Sequence, residues 1–171
     1  ADRFADVLVM QLGTAGMEAL LPRLLAAVDT VLAPSTVVLR GDGGFRALEN
    51  LERSVIVAKG RVEDPVLVRE ADMAFPADVM EGQKTGWFFD QCDNRAFVAA
   101  LADGGRMLDV FCHSGAFAVG AAGRGSATGH GATYVLGIDS SVSALELGRE
   151  AARLNGVEDR CRFRHGDVFR H

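Results

Sequence analysis

The sequence predicts an α/β protein: a small α+β domain over residues 1–80, then the first three strands of an open parallel sheet over residues 81–171. Three observations point there. From residue 91 onward, helix-like and strand-like segments alternate, the pattern of parallel strands joined by helical crossovers. An aspartate falls within or just after each of the three later strands, at Asp109, Asp139 and Asp167. The composition, 49% hydrophobic and 24% charged over 171 residues, is that of an ordinary globular chain.

In chain order, DVLVMQL (6–12) is β-branched and apolar enough for a buried strand. A helix follows, with Met17, Leu20, Leu21, Leu24, Leu25, Val28, Val31 and Leu32 on one stripe, and Pro34 ends it. TVVLR (36–40) reads as a strand and GDGG (41–44) as a turn. Residues 45–64 carry no clear period. VLVRE (66–70) and AFPADVM (74–80) read as strands around a turn, Pro76 placing the second at a sheet edge. EGQKTGWFFDQ (81–91) is expected to form a turn and a strand, followed by a helix near 91–102. RMLDVF (106–111), YVLGID (134–139) and the start of CRFRHGDVF (161–169) are the three strands of the second domain. Helices over 114–123 and 140–156 join them, the latter stopped by Gly156. The glycine-rich tract 120–131 follows a helix and precedes a strand. A phosphate cradle requires the opposite order, so the tract is expected to be a connection.

Composition excludes several classes. The longest charge-free runs, such as Val110–Gly123, fall short of the roughly 18–20 apolar residues of a membrane span. The first ten residues lack the pattern of a secretory signal. Net charge is −5, so any nucleic-acid contact must use a local patch or a separate module. Arg149, Arg153, Arg160, Arg162, Arg164 and Arg170 form a basic stretch diluted by Glu150, Glu158, Asp159 and Asp167, readable as a solvated face or as an RNA track. Three widely spaced cysteines do not make a disulfide framework and suit a reducing, cytoplasmic setting. The histidines at 113, 130, 165 and 171 show no zinc spacing, so no metal is expected.

The chemistry is expected at the carboxyl ends of the three later strands, where open parallel sheets bind ligands. An acid at the end of the second strand, Asp139, can accept hydrogen bonds from both hydroxyls of a ribose. Asp167, after the third, can accept from an adenine amino group. Gly115, at the first strand–helix turn, lets the backbone approach a ligand closely. The competing explanation is that these aspartates cap helices, Asp139 ahead of SSVSALE above all. The loop F111-CHSG-115 lacks the first two glycines that a pyrophosphate demands. S-adenosylmethionine carries no phosphate and tolerates bulkier residues, so it is favoured over a dinucleotide.

The segments GQKTGWFFDQ…NR (82–95), MLDVFCHSGAFAV (107–119), VLGIDSSVSALELGREAARLNG (135–156) and FRHGDVF (163–169) resemble one family. It is the class I S-adenosylmethionine-dependent methyltransferases with a Rossmann-like sheet that act on cytosine C5 of large-subunit ribosomal RNA and carry a PUA domain. DVLVMQLGTAGME (6–18) also matches that family's central domain. The resemblance implies that Phe111, His113, Ser114 and Gly115 line the donor's amino-acid end. It implies Asp139, with Ser140 beside it, at the ribose, and Asp167 with Val168 at the adenine. Lys84, Gln91 and Arg95 of the KTG segment would close over the donor, although Lys84 is equally readable as a solvated turn residue.

Two departures shape the expectation. Cys92 stands where the family has Arg after DQ, and the chain stops after its third strand. The family's later strands carry the substrate loop and a catalytic cysteine, so donor binding without the catalytic half is expected here, with RNA as the partner of the full-length enzyme. No catalytic residue is assigned. Cys112 lies in the donor loop, Cys92 at a helix start and Cys161 at a strand start. A sheet ending at its third strand is also expected to be marginal alone or to self-associate through its open edge. The alternatives are a methyltransferase of the same fold acting on another substrate, and a non-catalytic interaction module.

Overall fold

The computed structural model describes residues 1–63, 65–123 and 131–170. Contacts divide the chain into two units, Ala1–Val66 with Asp78–Trp87, and Leu67–Ala77 with Phe88–His171. The division differs from the single boundary at 80/81 expected from composition. The segment 67–77 belongs with the second unit, while residues 78–87 return to the first.

The first unit is a four-stranded sheet of β1 (Asp2–Phe4), β2 (Val7–Gln11), β3 (Thr36–Gly41) and β4 (Ser54–Lys59), in that spatial order. β2 and β3 are parallel, and β1 and β4 flank them antiparallel. The stretch between β2 and β3 forms two helices, α1 (Ala15–Ala19) and α2 (Leu21–Val31), where one was expected. They meet at Leu20, and Pro22, which has no N–H to give, starts the second. Leu21, Leu24, Leu25 and Val28 pack on Leu8, Met10, Leu12, Val37 and Leu39. Met17, Leu20, Val31 and Leu32 stay exposed, so the apolar stripe is only partly buried. Gly41 ends β3 instead of opening a turn, and Gly44–Glu49 is a 3-10 helix.

Residues 81–91 hold no strand, contrary to expectation. Asp78 gathers the backbone instead. Its Oδ1 accepts from the Met80 and Glu81 amides at 2.9 and 2.6 Å, and its carbonyl accepts from Gly82 N at 3.2 Å. Gly86 takes φ +111°, where a Cβ would sit 2.7 Å from that same carbonyl. Buried Arg40 clamps this segment to β3, donating to the carbonyls of Val79 (3.2 Å) and Gly82 (2.8 Å) while pairing with Asp42. The Thr85 hydroxyl bonds to the Asp2 carboxylate.

The second unit contains a hairpin, β5 (Val66–Glu70) and β6 (Met73–Ala77), whose turn residues Ala71 and Asp72 both have positive φ. After it come α3 (Cys92–Leu101), β7 (Arg106–Val110), α4 (Ala116–Ala122), β8 (Tyr134–Asp139), α5 (Val142–Leu154) and β9 (Cys161–His165). β7, β8 and β9 form a parallel sheet in that order. Small residues of α4 and α5, Ala118, Ala121, Ala122, Ala144, Gly148, Ala151 and Ala152, are buried. Leu108 and Val110 of edge strand β7 remain 61% and 39% exposed. The glycine-rich tract falls largely on residues 124–130, which, like His171, lie outside the described residues. Among the described residues no helix is long and apolar enough to cross a membrane.

Asn155 ties the hairpin to α5. Its Oδ1 accepts from Ala74 N at 2.9 Å, and its Nδ2 donates at 2.7 Å to the carbonyls of Ala74 and Ala151. The side chain thus pairs with β6 as one more peptide group would. Asn155→Ala should lower unfolding free energy by about 1–3 kcal/mol, since partly buried backbone groups lose their partners. Urea denaturation of the two proteins checks this. Coincident midpoints would show that the clamp contributes nothing.

Candidate functional site

The site is built on the turn leaving β7. Phe111, His113 and Gly115 adopt positive φ at +61°, +50° and +71°, alternating with Cys112 and Ser114. For the two non-glycines this conformation costs on the order of 1–2 kcal/mol each. The turn is pinned from several sides. Cys112 N donates to the Ile138 carbonyl (3.1 Å), Gly115 N to the Cys112 carbonyl (2.8 Å), and His113 N to Asp139 Oδ2 (2.8 Å). Beneath it lies the Phe163 ring. A Cβ on Gly115 would meet that ring at 2.5 Å, one on Gly137 at 2.8 Å and one on Gly148 at 3.0 Å.

Asp139 ends β8, and each of its oxygens is engaged once. Oδ2 accepts from His113 N and Oδ1 from Ser141 N, both at 2.8 Å. It does not cap α5, as the competing explanation required. Ser141 does so, its Oγ accepting from Ala144 N at 3.3 Å. Asp139 is therefore held by two backbone amides with lone pairs left on both oxygens, the arrangement that suits two neighbouring hydroxyls. The Ser140 carbonyl meets His165 Nε2 at 3.1 Å. Asp167 does act as a local cap, accepting from Phe169 N (3.0 Å) and pairing with Arg170 (3.2 Å) at the short turn that contains Val168. Phe169 and Phe111 bring their rings to 5.6 Å.

Phe111, His113, Ser114, Gly115, Asp139 and Ser140 thus come together on adjoining strand ends, and Asp167 and Val168 follow the next strand. The KTG segment is divided. Lys84 lies in the first unit, with φ +57°. Gln91 accepts from Asn94 at 2.9 Å, and Arg95 is buried against Glu70, with contacts at 2.7 and 2.5 Å.

Electrostatics separate the titratable groups. Burial pushes the Asp109 carboxyl up to about 6, opposed by the Ala118 amide and reinforced by Asp139. Its Oδ2 is buried without a hydrogen-bond partner among the described residues. Burial likewise pushes the Cys112 and Cys161 thiols up to about 12, so neither offers a thiolate at neutral pH. Burial shifts His113 down, opposed by nearby Asp139. The sequence reading missed Phe163, Phe88 and Glu70. Glycines at 115, 137 and 148 were the available signal for the first, because close packing on a ring demands them.

Together these features set a strained turn and the Asp139 carboxylate at the carboxyl end of a parallel sheet. A model of the S-adenosylmethionine-dependent methyltransferases matches residues 57–171, and the chain belongs to that family. It is 34% identical over 172 residues to ribosomal RNA large subunit methyltransferase I of Aeromonas hydrophila, and 33% identical over 171 residues to the protein of that name from Erwinia tasmaniensis. Each alignment covers 99% of this chain and 42% of the relative, so the chain spans less than half of their length. In fold, it is similar to a putative methyltransferase from Streptococcus mutans (TM-score 0.78, 18% identity), over 98% of this chain and 42% of that one.

Asp109 gives a pH signature. Its folded value near 6 lies above the roughly 3.9 of an exposed aspartate, so ionisation opposes folding. The penalty is full above about pH 6 and disappears as pH falls toward 4, reaching about 3 kcal/mol at most. The stability difference between Asp109→Asn and the parent chain should therefore change by up to that amount between pH 7.5 and 4.5. Parallel pH curves in urea titrations would remove Asp109 as the source.

Proposed function

We propose that this chain is the donor-binding part of a class I methyltransferase that methylates cytosine C5 in large-subunit ribosomal RNA. The observation that carries donor binding is the Asp139 carboxylate, fixed between the His113 and Ser141 amides at the end of β8. A vicinal diol can hydrogen-bond to both oxygens without displacing either amide. The donor residues are Phe111, His113, Ser114 and Gly115 at the amino-acid end, Asp139 and Ser140 at the ribose, and Asp167 and Val168 at the adenine.

Bound there, S-adenosylmethionine supplies an electrophilic methyl group on a sulfonium. The chain's own part is binding and orientation. Asp139 sets the ribose, and the positive-φ turn brings backbone close to the donor. Burial lowers the pKa of His113, which disfavours a positive charge on the turn that would hold the donor. C5 methylation also needs a thiolate to add at C6 of the base. Cys112 and Cys161 are too weakly acidic for that work, which supports assigning the base chemistry to residues other than these two.

The ribosomal RNA substrate rests on the names of the relatives and on the ordered run from KTG (84–86) to GDVF (166–169). The cytosine C5 position and a PUA module rest on that run alone. A reducing, cytoplasmic setting is supported by three free cysteines. Self-association through β7 is supported by exposed Leu108 and Val110.

Asp139→Ala should weaken S-adenosylmethionine binding by roughly 1.5–3 kcal/mol, the scale of a charge-assisted hydrogen bond. Calorimetry reads this directly, and NAD should not compete. Unchanged affinity, or competition by NAD, would overturn the donor assignment. Incubating the protein with labelled donor and ribosomal RNA should yield 5-methylcytosine in the digested RNA. Label on another base would overturn the substrate reading while leaving the donor site intact. Sedimentation of the 171-residue chain should reveal dimers or larger species. A strict monomer would refute association through the edge.

A further inference from the structure

We propose that the Glu70–Arg95 ion pair is a positioning device for the donor loop, acting through Phe88 on His113. The inference rests on reading that loop as the donor site. Arg95, on α3, is only 5% exposed. Its Nε donates to Glu70 Oε1 at 2.7 Å and its Nη2 to Glu70 Oε2 at 2.5 Å, a two-pronged contact that fixes the plane of the guanidinium. So held, Nη2 also donates to the Phe88 carbonyl at 3.1 Å, and the guanidinium lies 6.0 Å from the centre of the Phe117 ring on α4. Phe88 in turn sets its ring edge-on against the His113 imidazole, with centroids 6.1 Å apart and planes at 84°.

His113 is the residue whose position matters most to the loop. It sits at φ +50°, a conformation it holds only because its surroundings impose it, and its amide orients Asp139. The Asp139 contact fixes the backbone of His113, and the Phe88 ring limits where its side chain can go. Arg95 keeps Phe88 in place without itself reaching toward the ribose-binding carboxylate. A buried ion pair is weak evidence of stabilisation, because desolvation offsets much of its attraction. Its value here is geometric, since a planar fork tied to the β5–β6 hairpin can bond a third group, the Phe88 carbonyl, in one direction only.

Arg95 and Glu70 are therefore positioning residues, and Phe88 is the intermediary. Three variants separate the links. Arg95→Lys keeps the charge and loses the fork, Glu70→Gln keeps the shape and loses the charge, and Phe88→Leu keeps the backbone carbonyl and loses the ring edge. Leu101→Ala, at the exposed end of α3, is the control. With S-adenosylhomocysteine as the calorimetric probe, each of the three should raise Kd by roughly 3- to 30-fold, the span for coupling through a packed network. The Arg95→Lys/Phe88→Leu double variant should bind no worse than the weaker single, because the two act in series. The His113 ring-proton resonances should move in all three single variants, as the ring current of Phe88 is displaced or lost.

Unchanged Kd and unchanged His113 resonances in Phe88→Leu would overturn the proposal. Multiplicative losses in the double variant would overturn the serial link. Should Arg95→Lys fail to fold, Phe88→Leu and Glu70→Gln decide the matter by the same two measurements. If the parent protein itself does not bind S-adenosylhomocysteine, the donor-site reading fails. If the parent binds, Asp139→Ala does not, and Phe88→Leu is indistinguishable from the parent, only the positioning role fails.

Discussion

The Phe163 ring, sunk among three glycines, is the contact on which the site depends. Gly115 comes from the turn after β7, Gly137 from β8 and Gly148 from α5, and a methyl group on any of them would press into the ring at 3.0 Å or less. One aromatic side chain from β9 thereby sets how closely the turn, the sheet and the helix approach. Core packing leaves little slack for such a contact to relax. The turn after β7 is thus supported from below by a rigid surface, and its height above the sheet follows from the thickness of a ring.

That support explains a strained backbone. Phe111 and His113 hold positive φ although neither is glycine. The cost is met by hydrogen bonds that end on neighbouring strands, Cys112 on Ile138 and His113 on Asp139, and by the packing of Gly115. Strain of this kind persists where surrounding structure overdetermines the conformation, which is the condition for a preorganised ligand site. The same bonds orient Asp139, so the acid and the turn are one unit. Neither would keep its geometry without the other.

The sheet, its crossovers and the strand-end acids were legible because each is written in local pattern. Alternating periods mark strands and helices, and an aspartate at a strand end needs no long-range knowledge to be noticed. What was not legible depends on partners distant in sequence. The KTG stretch looks extended, yet Asp78 and two glycines fold it into turns. Asp139 looks like a helix cap, yet Ser141, two residues later, takes that role and frees it. Asp109 is visible as a strand aspartate, but its raised pKa comes from burial that the sequence does not print. Glu70 and Arg95 are 25 positions apart, and nothing in either segment names the other.

The KTG run carries a further lesson about motifs. Residues 82–95 are contiguous and resemble one functional hairpin, but they serve two separate cores. Thr85 and Trp87 are buried in the first unit, where Thr85 bonds to Asp2. Phe88 and Arg95 belong to the second, where Phe88 meets His113 and Arg95 bonds to the Phe88 carbonyl. The chain changes allegiance between Trp87 and Phe88. Selection on such a run need not reflect a single ligand, because each half answers to the packing of its own unit. A motif can therefore be specific to a family while its residues are divided between two cores. Arg95 illustrates this: its guanidinium is held by Glu70 and by the Phe88 carbonyl, both in the second unit.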